Sequence, residues 1–537
     1  MPGDLRYTDK LPFKDREKGS LPLHRALRNA QTGIYMGVLS NLEPQNVFYF
    51  FEEITKIPHG SGNVGQMSDY LADFARSRGL SYVQDPLKNI IIVKEATPGY
   101  EKEPPMILQG HMDMVAVKKP DCTIDMEKEG LQVAVRGDEI YAEGTSLGGD
   151  DGIAVAYSLA LLDSNTIRHP RLEVIITVDE EVGMDGARGI DLGMLQGNRM
   201  VNLDSEEEGI FLTSCAGGAR VKCNLLLALT ERAGTAMEVT VGGLLGGHSG
   251  GEIHKERGNS NAVFGRLLYR LTEKLNIGIL QVQGGLADNA IPRETKALVV
   301  LDEKDSALFA EIVDAVEAEL MSELATKDPG ITIKAAHHGQ GSYLCVTSGD
   351  TRRAAAFLAA LPGGVQGMSA DIHGLVETSL NLGILKMEKK KVNIGEEELA
   401  GSDGARPQER ANLLAEFSVR SSVESAKHAL IGKLKAVTML SGGSNMVTGD
   451  YPGWKYRKDS PLRDKMTCLY EKMYGKKPKV EAIHAGLECG ILGSKIRDLD
   501  CVSIGPDMSC IHTTEETLSI ASTRRVWEFL VRLLEEK

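Results

Sequence analysis

Three apolar runs in this sequence end directly in acids or histidine, and that arrangement limits the architecture more than any other property. Ile107 and Leu108 run into Gln109-Gly110-His111-Met112-Asp113, Leu172 to Val178 into Asp179-Glu180-Glu181, and Val201 into Asn202-Leu203-Asp204. Each reads as a buried strand whose last residues deliver polar groups to one edge of a sheet. Open α/β sheets bind ligands in the crevice beyond the carboxyl ends of their strands, so segments far apart in sequence can meet there. Two further segments belong to the set. Gly149-Asp150-Asp151-Gly152 stands just before an apolar helix, and Ile511-His512-Thr513-Thr514-Glu515-Glu516 lies near the C-terminus.

From about Leu42 to Asp204 helical and extended patterns alternate. Val64 to Arg78 has the spacing of an amphipathic helix, Asn89 to Val93 and Met106 to Leu108 read as strands, Ile153 to Leu162 as a helix, and Leu172 to Val178 as a strand rich in branched residues. Such alternation predicts a sheet covered by helices. After Gly217-Gly218 the texture changes. Val221 to Leu229, Ala236 to Val241, Ala297 to Leu301, Ile331 to Ala335 and Asn412 to Val419 read as strands with alternating faces, between helical stretches at Asn261 to Leu275, Ser306 to Leu320 and Ser425 to Leu440. This is the pattern of a separate α+β module inserted into the first domain. Turn-rich Asp450-Tyr451-Pro452-Gly453-Trp454 marks its exit. The remaining chain, with a helix at Leu462 to Met473, a strand ending at His484, a strand at Cys501 to Ile504 and a last helix from about Thr523, must return to the first domain if His512 is to stand beside His111 and Asp204.

Composition narrows the classes. A chain of 537 residues exceeds what one core usually organises, so two domains are expected. With 75 acidic against 61 basic residues the net charge is −14, which opposes nucleic acid and anionic membranes as partners. The cysteines are scattered without a Cys-x-x-Cys pair, the usage of a reduced, cytosolic protein. Met1 to Thr32 mixes charges of both signs and has no apolar core of a signal peptide, and no later run is long enough to span a bilayer.

An isolated His on a strand is more often a hydrogen-bonded core residue than a metal ligand. His111 differs because Asp113, two residues on in an extended chain, points to the same side and can hold the ring nitrogen turned away from a metal. Asp150 and Asp151 would ordinarily cap the following helix. One carboxylate with an oxygen toward each ion is instead a way to hold two metals roughly 3.5–4 Å apart, the spacing of hydrolytic two-metal sites, and Asp150 is chosen for that bridge. Glu180 and Glu181, otherwise solvated charge, divide the work beside metals: Glu180 as general base toward water, Glu181 as ligand. Asp204 is expected as the terminal carboxylate of the other ion, and His512 as completing the shell of the ion held by Glu181. Oxygen and imidazole donors without thiolate suit two Zn²⁺, with Mn²⁺ or Co²⁺ as substitutes. In the inserted module, Gly246-Gly247-His248-Ser249-Gly250-Gly251 places His248 on a glycine loop. Either that is an incidental turn residue, or the module closes over the cleft and His248 donates to a carbonyl oxygen as it gains charge. Arg420, His484 and Glu488 are candidates to shape a substrate pocket, with a structural role equally open. His337-His338 has no acids at ligand spacing and reads as surface.

These segments, in this order, resemble the di-zinc carboxypeptidase G/aminoacylase-like metallopeptidase superfamily, and within it the Xaa-His dipeptidase (aminoacyl-histidine dipeptidase, peptidase D) branch. The branch is marked by Ile57 to Asn63 (IPHGSGN), Gln109 to Val115 (QGHMDMV), Gly144 to Gly152 (GTSLGGDDG), Leu244 to Gly250 (LLGGHSG), Tyr451 to Trp454 (YPGW) and His484 to Cys489 (HAGLEC), so the resemblance spans about Leu39 to the C-terminus. It implies Asp150 bridging, His111 and Asp204 on one zinc, Glu181 and His512 on the other, Asp113 supporting His111, Glu180 as base, and His248 reaching the site from a lid. Position 151 is Asp where some relatives carry Asn. The expected fold is α/β: a split catalytic domain with a mixed sheet covered by helices, plus an inserted α+β lid domain. Residues 1–38 are expected to be a poorly ordered N-terminal extension, 39–218 and 451–537 the two parts of the catalytic domain, and 219–450 the lid. The expected activity is hydrolysis of dipeptides, Xaa-His and broader, in the cytoplasm, with a homodimer compatible. An amidohydrolase acting on N-acyl amino acids is the alternative enzyme. A catalytically silent metal- or peptide-binding protein is the alternative of another class, and the intact Glu180-Glu181 pair argues against it.

Overall fold

Two bodies of secondary structure are each organised around their own apolar residues. The computed structural model describes residues 37–392 and 408–537, so the extension expected at 1–38 lies outside the described residues except for its last two. The first body is built on a mixed eight-stranded sheet. Its strands run in the order Ser81–Gln84, Ile90–Lys94, Leu172–Thr177, Met106–His111, Arg199–Asn202, Asp500–Ser503, Ile210–Cys215 and Lys479–Ile483. Leu172–Thr177, Met106–His111, Arg199–Asn202 and Asp500–Ser503 are parallel neighbours, so their carboxyl ends lie at one edge. Met106–His111 and Leu172–Thr177 are buried along their whole length, as strands covered on both faces must be.

The two-residue period of a strand sorts the apolar side chains into two layers. Ile90, Ile92, Leu108, Val174, Ile176, Val201 and Val502 face one side, where the helices Gln45–Thr55, Gly149–Asp163, Pro461–Tyr474 and Ile520–Glu535 pack on them. Ile91, Val93, Ile107, Ile175, Met200 and Cys501 face the other and meet Leu487, Cys489 and Leu492 around the helix Glu488–Lys495. Gly149–Asp163 is buried from Gly149 through Leu162, which explains a sequence apolar on every side. Residues from both ends of the chain share these layers, so the C-terminal segment does return to the first domain.

The inserted body is a second sheet with helices Ser260–Lys274, Ser306–Glu323, Ser348–Ala360 and Glu424–Leu440 packed on it. Its central strand is the 26-residue Gly217–Gly242. Sequence patterning divides that strand into two because polar Thr230 to Gly234 interrupts the alternation. The chain stays extended there because its two halves have different partners. Gln408–Ser421 and Ser444–Tyr451 pair with the first half, Thr295–Leu301 with the second, and Thr332–Val346 runs along the second half from Leu229. Thr332–Val346 likewise extends far beyond the expected Ile331 to Ala335, and His337 and His338 on it are exposed, as expected. Where the chain leaves and re-enters the first body, Cys215 and Trp454 exchange backbone hydrogen bonds, both 3.0 Å, and the Ala216 N–H donates to Ala485 at 2.9 Å.

Candidate metal centre

The parallel strands bring their polar ends together as expected. His111 is the last residue of its strand, Glu180 and Glu181 open a short helix after Leu172–Thr177, Asp204 follows Arg199–Asn202, and His512 stands on the loop after Met508–Ser509. His111 Nε2 lies 3.3 Å from Asp150 Oδ1 and 3.6 Å from Asp204 Oδ1. His512 Nε2 lies 3.1 Å from Asp150 Oδ2 and 2.9 Å from Glu181 Oε1. Asp150 therefore turns one oxygen toward each histidine. Donor atoms of His111, Asp150 and Glu181 lie within 4.8 Å of one another, and so do those of His111, Asp151 and Asp204.

The electrostatics of the cluster are set by burial and by mutual contacts. Burial raises the carboxyls of Asp151 and Glu180 well above their ordinary range and that of Asp204 to about 6. Burial would lower His111, yet its hydrogen bonds to Asp113, Asp150 and Asp204 hold it well above an ordinary imidazole. Asp150 and Glu181 push His512 up to about 10. The acids and imidazoles hold one another's charges, and the buried carboxyls gathered here favour a positive charge among them. Two oxygens, Asp204 Oδ2 and Asp151 Oδ1, are buried without any hydrogen-bond partner, and Glu181 Oε1 meets only the His512 ring without hydrogen-bond alignment. Orphan carboxylate oxygens beside two imidazoles, with no thiolate, fit divalent ions of the zinc type. An exposed trio elsewhere, Glu424, His428 and Asp450, already has the Lys427 ammonium between its acids at 3.0 and 2.6 Å.

Around these groups the backbone is tied down. Asp113 holds His111 differently from the simple expectation: His111 Nδ1 lies 2.9 Å from the Asp113 carbonyl oxygen and 3.5 Å from its carboxylate. That carboxylate mainly accepts the Glu180 N–H at 3.1 Å, the Glu181 N–H at 3.4 Å and the Ser61 hydroxyl at 2.8 Å. Asp113 thereby fixes the glutamate pair as well as the histidine. Ser61 escaped the sequence reading, although it lies in one of the branch motifs. Asp151, passed over as the bridge, accepts the His111 N–H at 3.2 Å.

His248 and Arg420 sit on the inserted body, and His484 follows the edge strand Lys479–Ile483 of the first sheet. A Cβ placed on Gly250 would lie 2.6 Å from the His484 carbonyl, 3.0 Å from His248 Cε1 and 3.2 Å from Arg420 Nε, so the three meet around this glycine. His248 Nδ1 accepts the Gly251 N–H at 3.0 Å, which leaves the ring proton on Nε2. Arg420 Nε is buried without a partner, and its Nη1 is 3.5 Å from the Tyr451 hydroxyl. His484 Nε2 pairs with Ser379 Oγ at 2.7 Å. Glu488 takes another place than a substrate pocket. It is 0% exposed and accepts from Gln109 Nε2 at 2.6 Å and Thr177 Oγ1 at 2.5 Å, and burial pushes its carboxyl up to about 8.

Comparisons with known proteins agree with this geometry. Residues 107–536 match the model of peptidase family M20/M25/M40. The cytosol non-specific dipeptidase of Escherichia coli (strain K12) is 34% identical over 504 residues, which cover 93% of this chain and 99% of that protein. The crystal structure of aminoacylhistidine dipeptidase from Vibrio alginolyticus superposes with a TM-score of 0.83 at 34% identity, covering 93% of this chain and 98% of that one. A tripeptidase from Staphylococcus aureus shares the fold, with a TM-score of 0.52 at 14% identity over 93% of this chain and 99% of that one. A strand-end cluster of two histidines and four acids, carried on this sheet and matched along nearly its whole length, places the chain in the M20/M25/M40 peptidase family.

Proposed function

We propose that this protein is a di-zinc dipeptidase, cutting Xaa-His and other dipeptides with a glutamate general base. The observation that carries this reading is Asp150, whose two oxygens face His111 at 3.3 Å and His512 at 3.1 Å. His111 and Asp204 would hold one ion, Glu181 and His512 the other, with Asp150 shared. Bound there, divalent ions polarise the scissile carbonyl and acidify water. Glu180, fixed through its N–H by Asp113, accepts a proton from the attacking water and returns it to the departing amine. His248, with its proton on Nε2, donates to the carbonyl oxygen as charge develops there. Arg420 offers a buried, unpartnered N–H and a positive charge to the carboxylate end of a short peptide. His484, beside it, shapes the same end of the pocket.

The two 34% identical relatives are dipeptidases by description, and the Escherichia coli one is cytosolic, which supports the same substrate class and a cytoplasmic location. No helix among the described residues is long and apolar enough to cross a membrane. The test is a panel of assorted dipeptides beside N-acetyl amino acids, after reconstitution with zinc, manganese or cobalt. Metal-dependent cleavage of dipeptides is expected. Cleavage confined to N-acetyl amino acids would replace the reading with an amidohydrolase, and no cleavage of either would leave a metal-binding protein.

A further inference from the structure

We infer that Glu516 is a positioning residue for the metal centre, its carboxylate clamping the loop that carries Asp150 to the loop that carries His512. The inference rests on the two-metal reading above. Glu516 follows His512 by one helical turn's worth of chain, yet its side chain is only 3% exposed and turns inward. Its Oε2 accepts the backbone N–H groups of Leu147 and Gly148 at 2.8 and 3.1 Å. Its Oε1 accepts those of Gly149 and Asp150 at 2.8 and 3.3 Å.

Those four donors form the turn ahead of the helix Gly149–Asp163, whose backbone is still non-helical at Asp150 and Asp151, and Gly148 has no side chain to satisfy them. A helix start is ordinarily capped by a nearby Ser, Asp or Asn. Here the acceptor comes from 366 residues away and brings its neighbours with it. Cys510 and His512 both have left-handed backbones, φ 53° and 61°, which residues with side chains hold only when their surroundings enforce it. Glu516 is the inward anchor of that loop, whereas the adjacent Glu515 points outward to an exposed pair with Lys119. A closed circuit results: the Asp150 N–H to Glu516, along the loop to His512, and from its Nε2 back to Asp150 Oδ2 at 3.1 Å. The clamp therefore sets the distance between the shared carboxylate and one of the two imidazoles. A carboxylate is the right group for it, because two oxygens receive four N–H groups and no other side chain of that size offers two pure acceptors. It is held there at an electrostatic disadvantage, with burial and the nearby Asp150 both opposing its charge.

The variant E516Q keeps the size but turns one acceptor into a donor facing two N–H groups. Three quantities are compared with wild type: zinc affinity by competition with a chelating dye, melting of the metal-free protein, and dipeptide turnover against free zinc. Folded E516Q is expected to bind zinc about 10- to 100-fold more weakly, the range for partners behind metal ligands, with turnover recovering as zinc is raised. Wild-type zinc affinity in a folded E516Q overturns the clamp. Should E516Q not fold, E516D, with both acceptors on a shorter stem, is measured in the same way and judged by the same result. Loss of the fold in both makes Glu516 a folding determinant and overturns the positioning role. Failure of the underlying reading shows separately, as wild-type protein that takes up no divalent metal, and that result overturns both.

Discussion

Replacing Asp113 by Asn separates what this buried carboxylate does for folding from what it does for the metal centre. Asp113 is 1% exposed and accepts from the Glu180 N–H, the Glu181 N–H and the Ser61 hydroxyl, with His111 Nδ1 3.5 Å away. Asn has one acceptor oxygen. With it at the Oδ1 position, the 3.1 Å bond from Glu180 survives, Ser61 can reverse its hydroxyl to accept, and only the 3.4 Å bond from Glu181 is lost. That costs about 1–2 kcal/mol of stability, since the lost donor is only partly buried. Asp113→Ala strands all three donors at roughly 1 kcal/mol or more each, a sum of about 3–5 kcal/mol that is a large share of the whole stability of a typical domain. The charge matters more to function than to folding. Without it, the imidazole of His111 loses its anionic neighbour and the Glu181 N–H its acceptor, and removing a partner of this kind typically lowers metal affinity or activity about 10- to 100-fold. Chemical denaturation of the metal-free variants, zinc titration, and kcat and KM on a dipeptide measure the separate effects. An Asp113→Asn protein with small stability loss and wild-type kcat would refute the claim that Asp113 orders the site.

Other expectations follow from single contacts. Glu180→Ala should keep the fold and bind zinc while losing about 10²–10⁴-fold in kcat, the usual range for a general base, and normal turnover would remove Glu180 from the mechanism. Gly110→Ala places a methyl group 2.5 Å from Ala154 Cβ and against the Asp151 carboxylate. It should cost about 1–3 kcal/mol by overpacking and weaken zinc uptake, and an unchanged denaturation midpoint would contradict the packing around Asp151. His484 is held down to about 3 in the fold by burial and then by Arg420. The unfolded chain therefore binds the extra proton first, so stability is lost as pH falls below about 6.5 and toward 3. His484→Gln, which retains a partner for Ser379, should show a shallower fall in melting temperature between pH 6.5 and 5 than wild type. Identical slopes would mean that His484 is not buried in its neutral form.

The catalytic half was open to sequence reading because its strands are covered on both faces. Branched apolar stretches such as Val174 to Ile176 announce themselves, and ligand-type residues follow shortly after them. The inserted half was less so. Gly217–Gly242 is one strand only because it changes partners midway, and the exposed stretch around Ala336-His337-His338 carries no alternation to reveal Thr332–Val346. Gly278–Gly284, Val376–Val392 and the helix Ser348–Ala360 went unread for similar reasons of mixed burial. Within the site, the donor side chains that cluster were legible by type and spacing, and Asp150 lies within 3.3 Å of both histidines. Residues that act on backbone N–H groups were not. Ser61 and Glu516 look like ordinary polar loop residues, since nothing in a sequence marks which amides a distant side chain will accept. For Glu488 the sequence left a pocket and a structural role equally open, and its carboxylate is bonded to Gln109 and Thr177.

The central claim is that two ions share Asp150, and anomalous diffraction from zinc-loaded crystals of this protein reads it directly. Two zinc peaks are expected on either side of the Asp150 carboxylate, one against His111 and Asp204 and the other against His512 and Glu181. A single peak, or peaks away from Asp150, would contradict the account.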